Sequence, residues 1–341
     1  MRKLILGIET SCDETSIAIL ENDTNLLANV VSSQIKIHQK YGGVMPEIAS
    51  RLHVEQISLV LEEALTKANV KMEDITAIAL TRGPGLIGAL HVGMQCAKTL
   101  AMIYDIPLVY VHHLAGHIYA NEYIAPMKYP CMALVVSGGN TELVYIKQPL
   151  HFEIIGETMD DAIGEAYDKV ARVLGLSYPG GPVIDKLSKL GKPTYKLPTP
   201  LNDNSLNVSY SGLKTAVLNL NHKLEQNNVP VNVEDMSASF QTTAIDILLS
   251  KTLLALERYP VKQLVLGGGV SANSYLREQI NLRVKEKFSD VEVLIPPLWC
   301  CTDNAAMIAK VGSKIYDKQI FADLSEGVDP DWRLEDFSLK D

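Results

Sequence analysis

The chain has 341 residues, 31 Lys and Arg against 40 Asp and Glu, and a formal net charge of −9. That length exceeds one ordinary core, and 47% hydrophobic with 21% charged residues excludes a disordered chain. The acidity excludes an autonomous nucleic-acid binder, because phosphate contact needs at least a local surplus of Lys and Arg.

The chain opens with Leu4 to Ile8, too short an apolar stretch for a signal-peptide core and interrupted by Glu9. No run approaches the roughly 18 apolar residues of a membrane span. The five cysteines, Cys12, Cys96, Cys131, Cys300 and Cys301, include no Cys-x-x-Cys, so neither a disulfide framework nor a thiolate zinc site is expected. A reducing cytoplasm fits best, with Cys300 and Cys301 structural.

Leu4 to Ile8, the polar turn Glu9 to Glu14, and Thr15 to Leu20 predict strand, turn, strand. Ile75 to Leu80 predicts a strand entering Gly83-Pro84-Gly85, followed by a helix from about Leu86 to Met102. Ile106 to Val111 predicts a strand ending at His112-His113, with helix character from Leu114. The same three features then recur. Met132 to Val136, the turn Ser137-Gly138-Gly139-Asn140 and Thr141 to Ile146 repeat the hairpin. Val261 to Leu266 runs into Gly267-Gly268-Gly269 and a helix from about Asn273 to Lys287. Val291 to Ile295 leads through Pro296-Pro297 to a helix opening Thr302-Asp303-Asn304. A shared order in both halves predicts a duplicated α/β unit. The second half is longer by roughly 57 residues, placed in the Pro/Gly/Lys-rich stretch 178–231. The plan resembles the actin, sugar-kinase and Hsp70 superfamily, two lobes around a ligand cleft, with lobes at 1–125 and 126–341 and the last helices able to pack back on the first. Bare N–H groups in the glycine turns would bind phosphate there.

His113 and His117, four apart on a helix, share one face within reach of one metal ion. Asp303 follows its glycine loop at nearly the spacing at which His117 follows Gly83, so the duplication brings it to the corresponding place. A His, His, Asp set with open positions can hold a divalent metal. Asp303 can equally cap the following helix, or leave that to Thr302. Leu114 stands where a His-Glu-x-x-His peptidase has its Glu, which disfavours that chemistry. Glu9, Asp13 and Glu14 crowd the first turn, where a carboxylate could act on metal, water or a nucleophile. Asp160, Asp161, Glu165 and Asp168 are read as one helix surface with an Asp161–Glu165 repulsion, Asp168 being a candidate for a ribose hydroxyl. Tyr178 to Pro182, followed by Asp185, is a turn that backbone can use against a ligand. Asn273 could cap a helix or read a base edge.

With these residues assembled, the chain resembles the universal tRNA threonylcarbamoyltransferase family (bacterial TsaD). The motifs are Glu9-Thr10-Ser11-Cys12-Asp13-Glu14-Thr15, Gly83-Pro84-Gly85-Leu86, His113-Leu114-Ala115-Gly116-His117, Val136-Ser137-Gly138-Gly139, Glu165-Ala166-Tyr167-Asp168-Lys169, Tyr178-Pro179-Gly180-Gly181-Pro182, Ser211-Gly212-Leu213-Lys214, Gly267-Gly268-Gly269-Val270 and Cys301-Thr302-Asp303-Asn304-Ala305. They run in order from residue 9 to 305. Asn140 departs from the His common there.

The resemblance implies transfer of threonylcarbamoyl from threonylcarbamoyl-AMP to N6 of the adenosine beside the anticodon in tRNAs reading codons that begin with A. It implies that His113, His117 and Asp303 hold one divalent metal, iron expected and zinc the alternative. Val135, Val136, Ser137, Gly138, Gly139, Asp168, Gly181, Asp185 and Asn273 would bind the adenylate, and an adenine nucleotide could occupy the cleft. Apart from the resemblance, their position in the first turn makes Asp13 or Glu14 the expected acceptor of the amine proton. Implied partners are tRNA, a paralogous actin-like protein (TsaB-like), a small P-loop ATPase (TsaE-like) and a separate synthase for the adenylate, with no membrane. A small-molecule kinase of the same superfamily is the competing class, needing Mg·ATP and an acceptor hydroxyl; a scaffold that kept the fold and lost the site is the other. Lysines cluster locally, Lys36, His38 and Lys40 in one strip and Lys186, Lys189, Lys192 and Lys196 in another, so tRNA binding by the chain alone should be weak and salt-sensitive.

Overall fold

A computed structural model describes residues 2–339. The chain forms two compact units, one of residues up to Pro126 together with those from Pro296 onward, the other Met127–Ile295.

In the first unit, strands β1 (Leu4–Glu9), β2 (Glu14–Glu21), β3 (Asn25–Ser33), β4 (Ala77–Gly83) and β5 (Leu108–His112) build a sheet of order β3-β2-β1-β4-β5. β1 to β3 form an antiparallel meander, while β4 and β5 run parallel to β1. β1 is buried along its whole length, as expected of an apolar run covered on both faces. The helices Pro46–Ala68 and Ile87–Tyr104 and the helix Ala305–Asp317 pack on this sheet. The last of these approaches very closely. A Cβ at Gly7 would collide with the Ala305 carbonyl oxygen, so only glycine fits there. This contact draws the segment after Pro296 into the first unit.

The C-terminal segment then straps the open edge of β5. Ala322 N donates to Leu108 O (2.8 Å) and Asp329 N to Arg82 O (3.0 Å). Arg82 lies 5.3 Å from the Tyr110 ring and 5.2 Å from Trp332, and its guanidinium pairs with Glu326. The C-terminal segment thus covers part of an edge whose backbone would otherwise be open.

In the second unit, β6 (Cys131–Val136), β7 (Thr141–Ile146), β8 (Phe152–Glu157), β9 (Gln263–Gly267) and β10 (Glu292–Leu294) repeat the topology in the order β10-β9-β6-β7-β8. Here too the meander is antiparallel and the last two strands are parallel to the first. The core gathers Met132, Leu134, Tyr167, Phe240, Leu248 and Leu266 among others. The helices Gly180–Ser188 and Ser211–Gln226 lie within the stretch read as an insertion. No helix among the described residues is long and apolar enough to cross a membrane.

The third strand of each meander, β3 and β8, was not predicted. β3 is half-exposed and carries Asn25, Asn29, Ser32 and Ser33, which dilute its apolar alternation. The five cysteines are free, Cys300 and Cys301 both buried. Burial and the neighbouring Cys301 push the Cys300 thiol up to about 12, which keeps it protonated and inert.

Candidate metal centre and ligand-binding patch

β5 ends at His112, and the segment that follows carries His113 and, one turn later, His117. The short helix His113–Tyr119 begins there, with His112 as its N-cap. His112 Nδ1 accepts from Leu114 N (3.2 Å), and its Nε2–H donates to the Trp332 carbonyl (2.8 Å). Both nitrogens are therefore occupied, and burial drives its pKa down to about 3. His112 is a neutral peg between the helix and the C-terminal strap, not a ligand.

His113 and His117 turn the other way. Their rings meet edge to face with centroids 4.7 Å apart. Asp303 Oδ1 lies 3.1 Å from His117 Nε2 and 3.5 Å from His113 Nε2. One ligand atom from each of the three residues falls within 4.8 Å of the others. All three belong to the first unit, so Asp303 reaches the histidines by the docking of its helix on β1 and not from the other half of the duplication. Neither Asp303 nor Thr302 caps that helix. Asn304 does, its side chain accepting from Met307 N (3.2 Å), which leaves the Asp303 carboxylate free for the histidines.

Behind His113 stands Glu9, wholly buried at the end of β1. The His113 Nδ1–H donates to Glu9 Oε2 (3.0 Å), which also accepts from Thr81 Oγ1 (2.6 Å), while Ser11 N donates to Oε1 (2.6 Å). Ser11 Oγ lies 3.1 Å from the same His113 nitrogen. A carboxylate on Nδ1 fixes the ring so that Nε2 faces the ligand position, the usual support of a metal-bound imidazole. In the sequence Glu9 stands out only as one of three crowded acids. Its signal was a charge closing a fully buried strand, which must be paired.

The charges around this point are unbalanced. Burial opposes ionisation, but the His113 and His117 charges outweigh it and hold Asp303 down at about 2. Burial likewise opposes a charge on His113, yet Asp303 and Glu9 raise it to about 9. Glu14 is forced well above the usual carboxylate range by burial and by the charges of Asp13 and Asp303. Its Oε1 accepts from Ser33 Oγ (3.0 Å). Asp13 and Glu14 are both buried beside this cluster. Finally, His117 Nδ1 is buried with no hydrogen-bond partner among the described residues. Two imidazoles, surplus carboxylates and an unsatisfied ring nitrogen suit a divalent cation.

One pH effect follows. Without metal, His113 carries a proton up to about pH 9, while Asp303 is ionised throughout the neutral range. A cation on the imidazole must displace that proton. Apparent Co²⁺ affinity, measured by chelator competition, should therefore rise about tenfold per pH unit below 9 and level off above it.

The residues assigned to the adenylate lie in the second unit and form a linked patch. The hairpin turn closes through Ser137 N donating to Asn140 O (2.8 Å) and Asn140 N to Ser137 Oγ (3.0 Å), so Asn140 supports the turn through backbone atoms. Gly164 N, at the start of the helix Ile163–Val173, donates to Ser137 O (3.2 Å). Asp168 on that helix accepts from Gly180 N (2.6 Å). Asp185 accepts from Ser274 Oγ (2.8 Å) and pairs with Lys189 (3.3 Å). Val135 and Val136 end β6 beneath the turn and are fully buried, so only their backbone is on offer. At Gly138, Gly139 and Gly181 an added Cβ would meet nothing, which leaves their backbone approachable.

Asn273 caps the helix Ser274–Lys287, accepting from Leu276 N (2.9 Å). Its amide donates to Gln241 Oε1 (2.8 Å) and lies 3.4 Å from the Tyr167 hydroxyl. Of the two uses read for it, the structure displays the cap.

The acidic helix surface is also revised. Asp160 and Asp161 precede the helix, which starts at Ile163. The Asp161–Glu165 repulsion is relieved by Lys169, 2.6 Å from each carboxylate. Asp160 instead anchors the start of the helix Ser211–Gln226, accepting from Ser209 Oγ, Tyr210 N, Ser211 N and Ser211 Oγ at 2.5–3.1 Å. Burial opposes its charge, but these donors prevail and lower it to about 2. Asp160→Ala should lower stability by about 1–2 kcal/mol in chemical denaturation at pH 7. That contribution is whole above the ordinary Asp value of 3.8 and fades as the pH falls towards 2, so wild type and variant should converge in acid.

A family model described as TsaD: tRNA N6-adenosine threonylcarbamoyltransferase matches residues 25–310. A curated tRNA N6-adenosine threonylcarbamoyltransferase of Bacillus thuringiensis (strain Al Hakam) is 54% identical over 333 residues, 97% of each chain. One of Listeria welshimeri is 52% identical over 334 residues, 98% of this chain and 97% of its own. Among solved structures, full-length HypF in a phosphate- and nucleotide-bound form aligns with a TM-score of 0.59 at 14% identity, covering 93% of this chain and 46% of HypF. Component A of the Acidaminococcus fermentans (R)-2-hydroxyglutaryl-CoA dehydratase aligns at 0.52 and 15% identity, covering 92% and 98%. These structural likenesses place the fold among actin, sugar-kinase and Hsp70-like proteins.

Proposed function

The chain belongs to the tRNA N6-adenosine threonylcarbamoyltransferase family and has that activity, and from this premise we propose how its residues divide the work. Threonylcarbamoyl-AMP is the donor, and the acceptor is N6 of the adenosine 3′ to the anticodon in tRNAs reading codons that begin with A. The N6 amine attacks the carbamoyl carbon, the bond from that carbon to the phosphate oxygen breaks, and AMP leaves.

An exocyclic adenine amine is a weak nucleophile, so positioning and stabilisation of developing charge carry the reaction. The open backbone of Ser137 to Gly139, with Gly181, receives the phosphate, and Asp168, Asp185 and Asn273 hold the remainder of the adenylate. His113, His117 and Asp303 hold one divalent metal, iron expected and zinc the alternative, with Glu9 orienting His113. Such an ion, when bound, supplies a Lewis acid for the carbamoyl carbonyl or an anchor for the threonyl group. Asp13 or Glu14 accepts the proton released by N6. A paralogous actin-like partner and a small P-loop ATPase assist with tRNA, and a separate synthase supplies the adenylate.

The observation that carries this reading is identity of 54% along 97% of the chain, with the three ligand residues gathered at one point. Its test is to incubate the protein and its partners with threonylcarbamoyl-AMP and unmodified tRNA, then digest the tRNA. N6-threonylcarbamoyladenosine and one AMP per transfer are expected. Absence of the nucleoside under every metal condition overturns the reading.

A further inference from the structure

Of the two basic strips in the sequence, the structure dismantles one. His38 is fully buried, bonded to Gln34 Oε1 (3.0 Å) and accepting from Met45 N (3.3 Å), so only Lys36 and Lys40 remain exposed there. The other strip stands apart. Residues 186–196 hold four lysines and no acidic residue in a chain of net charge −9. All four are exposed. Lys189 is paired with Asp185, whereas Lys186, Lys192 and Lys196 have no ion pair among the described residues.

The segment bearing them is held still by its backbone. Lys192 N donates to Asp235 Oδ1 (2.8 Å), Thr194 Oγ1 to Asp235 Oδ2 (3.2 Å) and Tyr195 N to Ser239 Oγ (3.0 Å), while Asn232 N donates to the Tyr195 hydroxyl (3.3 Å). The Asp235 carboxylate is thus spent on main-chain and hydroxyl donors, and the Lys186, Lys192 and Lys196 side chains keep their charge unpaired among the described residues. The segment also continues directly from the helix Gly180–Ser188, whose Asp185 is joined to Ser274 in the adenylate patch. A fixed, unpaired triad of cations bordering the donor patch is an arrangement that a polyanion would complete.

We propose that Lys186, Lys192 and Lys196 form a phosphate-contacting surface for the substrate tRNA. This inference rests on the transferase reading for the identity of its polyanion. RNA is favoured over an acidic protein because the substrate itself supplies phosphates, and three spaced point charges need no side-chain register to bind a phosphate backbone.

The test uses the full chain with its partners and a triple variant, K186Q/K192Q/K196Q. A control triple, K147Q/K262Q/K285Q, removes the same charge from exposed lysines elsewhere in the second unit. Affinity for unmodified tRNA is measured by fluorescence anisotropy across a salt series, and kcat and KM for tRNA by nucleoside formation. The first triple should lower affinity by about tenfold to a hundredfold and flatten the log–log salt slope by about 2 to 3, nearly one per lost contact. Its KM should rise with kcat unchanged, and the control triple should match wild type. Equal effects of both triples, no effect of the first, or a fall in its kcat would each overturn the proposal. Loss of product from wild type itself would instead refute the transferase reading, and the anisotropy series would still judge the surface.

Discussion

Asp303→Asn is expected to remove bound metal and, with it, transfer. The substitution preserves volume, and Asn304 rather than Asp303 caps the following helix, so the fold has no reason to change. What it removes is the one carboxylate of the candidate His113, His117 and Asp303 set, whose Oδ1 lies within 3.5 Å of both imidazoles. His113 then loses the stronger of the two carboxylate charges that raise it, while Glu9 still holds its Nδ1. Metal content, measured by elemental analysis after gel filtration, should fall to about a tenth or less. Single-turnover transfer should fall by about 10²–10³, the several kcal/mol that a Lewis acid contributes to a developing charge. Wild-type metal content with normal turnover in Asp303→Asn would remove this residue from the site.

The second large effect belongs to the turn between β1 and β2. Removing the group that accepts the N6 proton should cost about 10²–10⁴ in turnover. Glu14 is the more informative of the two candidates. In the metal-free protein, burial and the charges of Asp13 and Asp303 keep it protonated well above the usual range. A protonated carboxyl cannot accept a proton, and a nearby cation would lower its pKa. If Glu14 is the acceptor, transfer should rise with pH through its raised pKa, and Glu14→Gln should be slow at every pH without that rise. If Asp13 is the acceptor, Asp13→Asn should be the slow variant and Glu14→Gln should keep its turnover. Both variants should bind tRNA normally. Full turnover in both would end the assignment of either carboxylate.

The parts of this molecule that were legible in its sequence are those written in strong periodicity. Two apolar hairpins, each followed by a strand that ends in glycine, announced the duplicated fold, and 15% identity to the dehydratase component did not prevent a chain-long structural match. The histidine pair was legible because helical spacing alone sets its geometry. Less was legible where several residues could serve one purpose. Thr302, Asp303 and Asn304 are all capable caps, and only the packing of the helix on Gly7 decides which one faces the histidines. Asp160 and Asp161 read as one helix surface with Glu165 and Asp168, yet Asp160 is engaged by four donors from residues 209–211. His38 read as part of a basic surface, although its side chain is buried, a fact that spacing cannot convey. Glu9 illustrates the same limit from the other side, since its partners Thr81 and His113 are distant in the chain.

The measurement that tests the central claim most directly is metal reconstitution coupled to nucleoside analysis. Wild-type protein is stripped with a chelator, supplied with its partners, threonylcarbamoyl-AMP and unmodified tRNA, and given Fe²⁺ or Zn²⁺ in steps. N6-threonylcarbamoyladenosine should be nearly absent at first and should saturate at one equivalent of metal per chain, while Asp303→Asn should gain little at that level. Full transfer by the stripped wild-type protein would contradict the account.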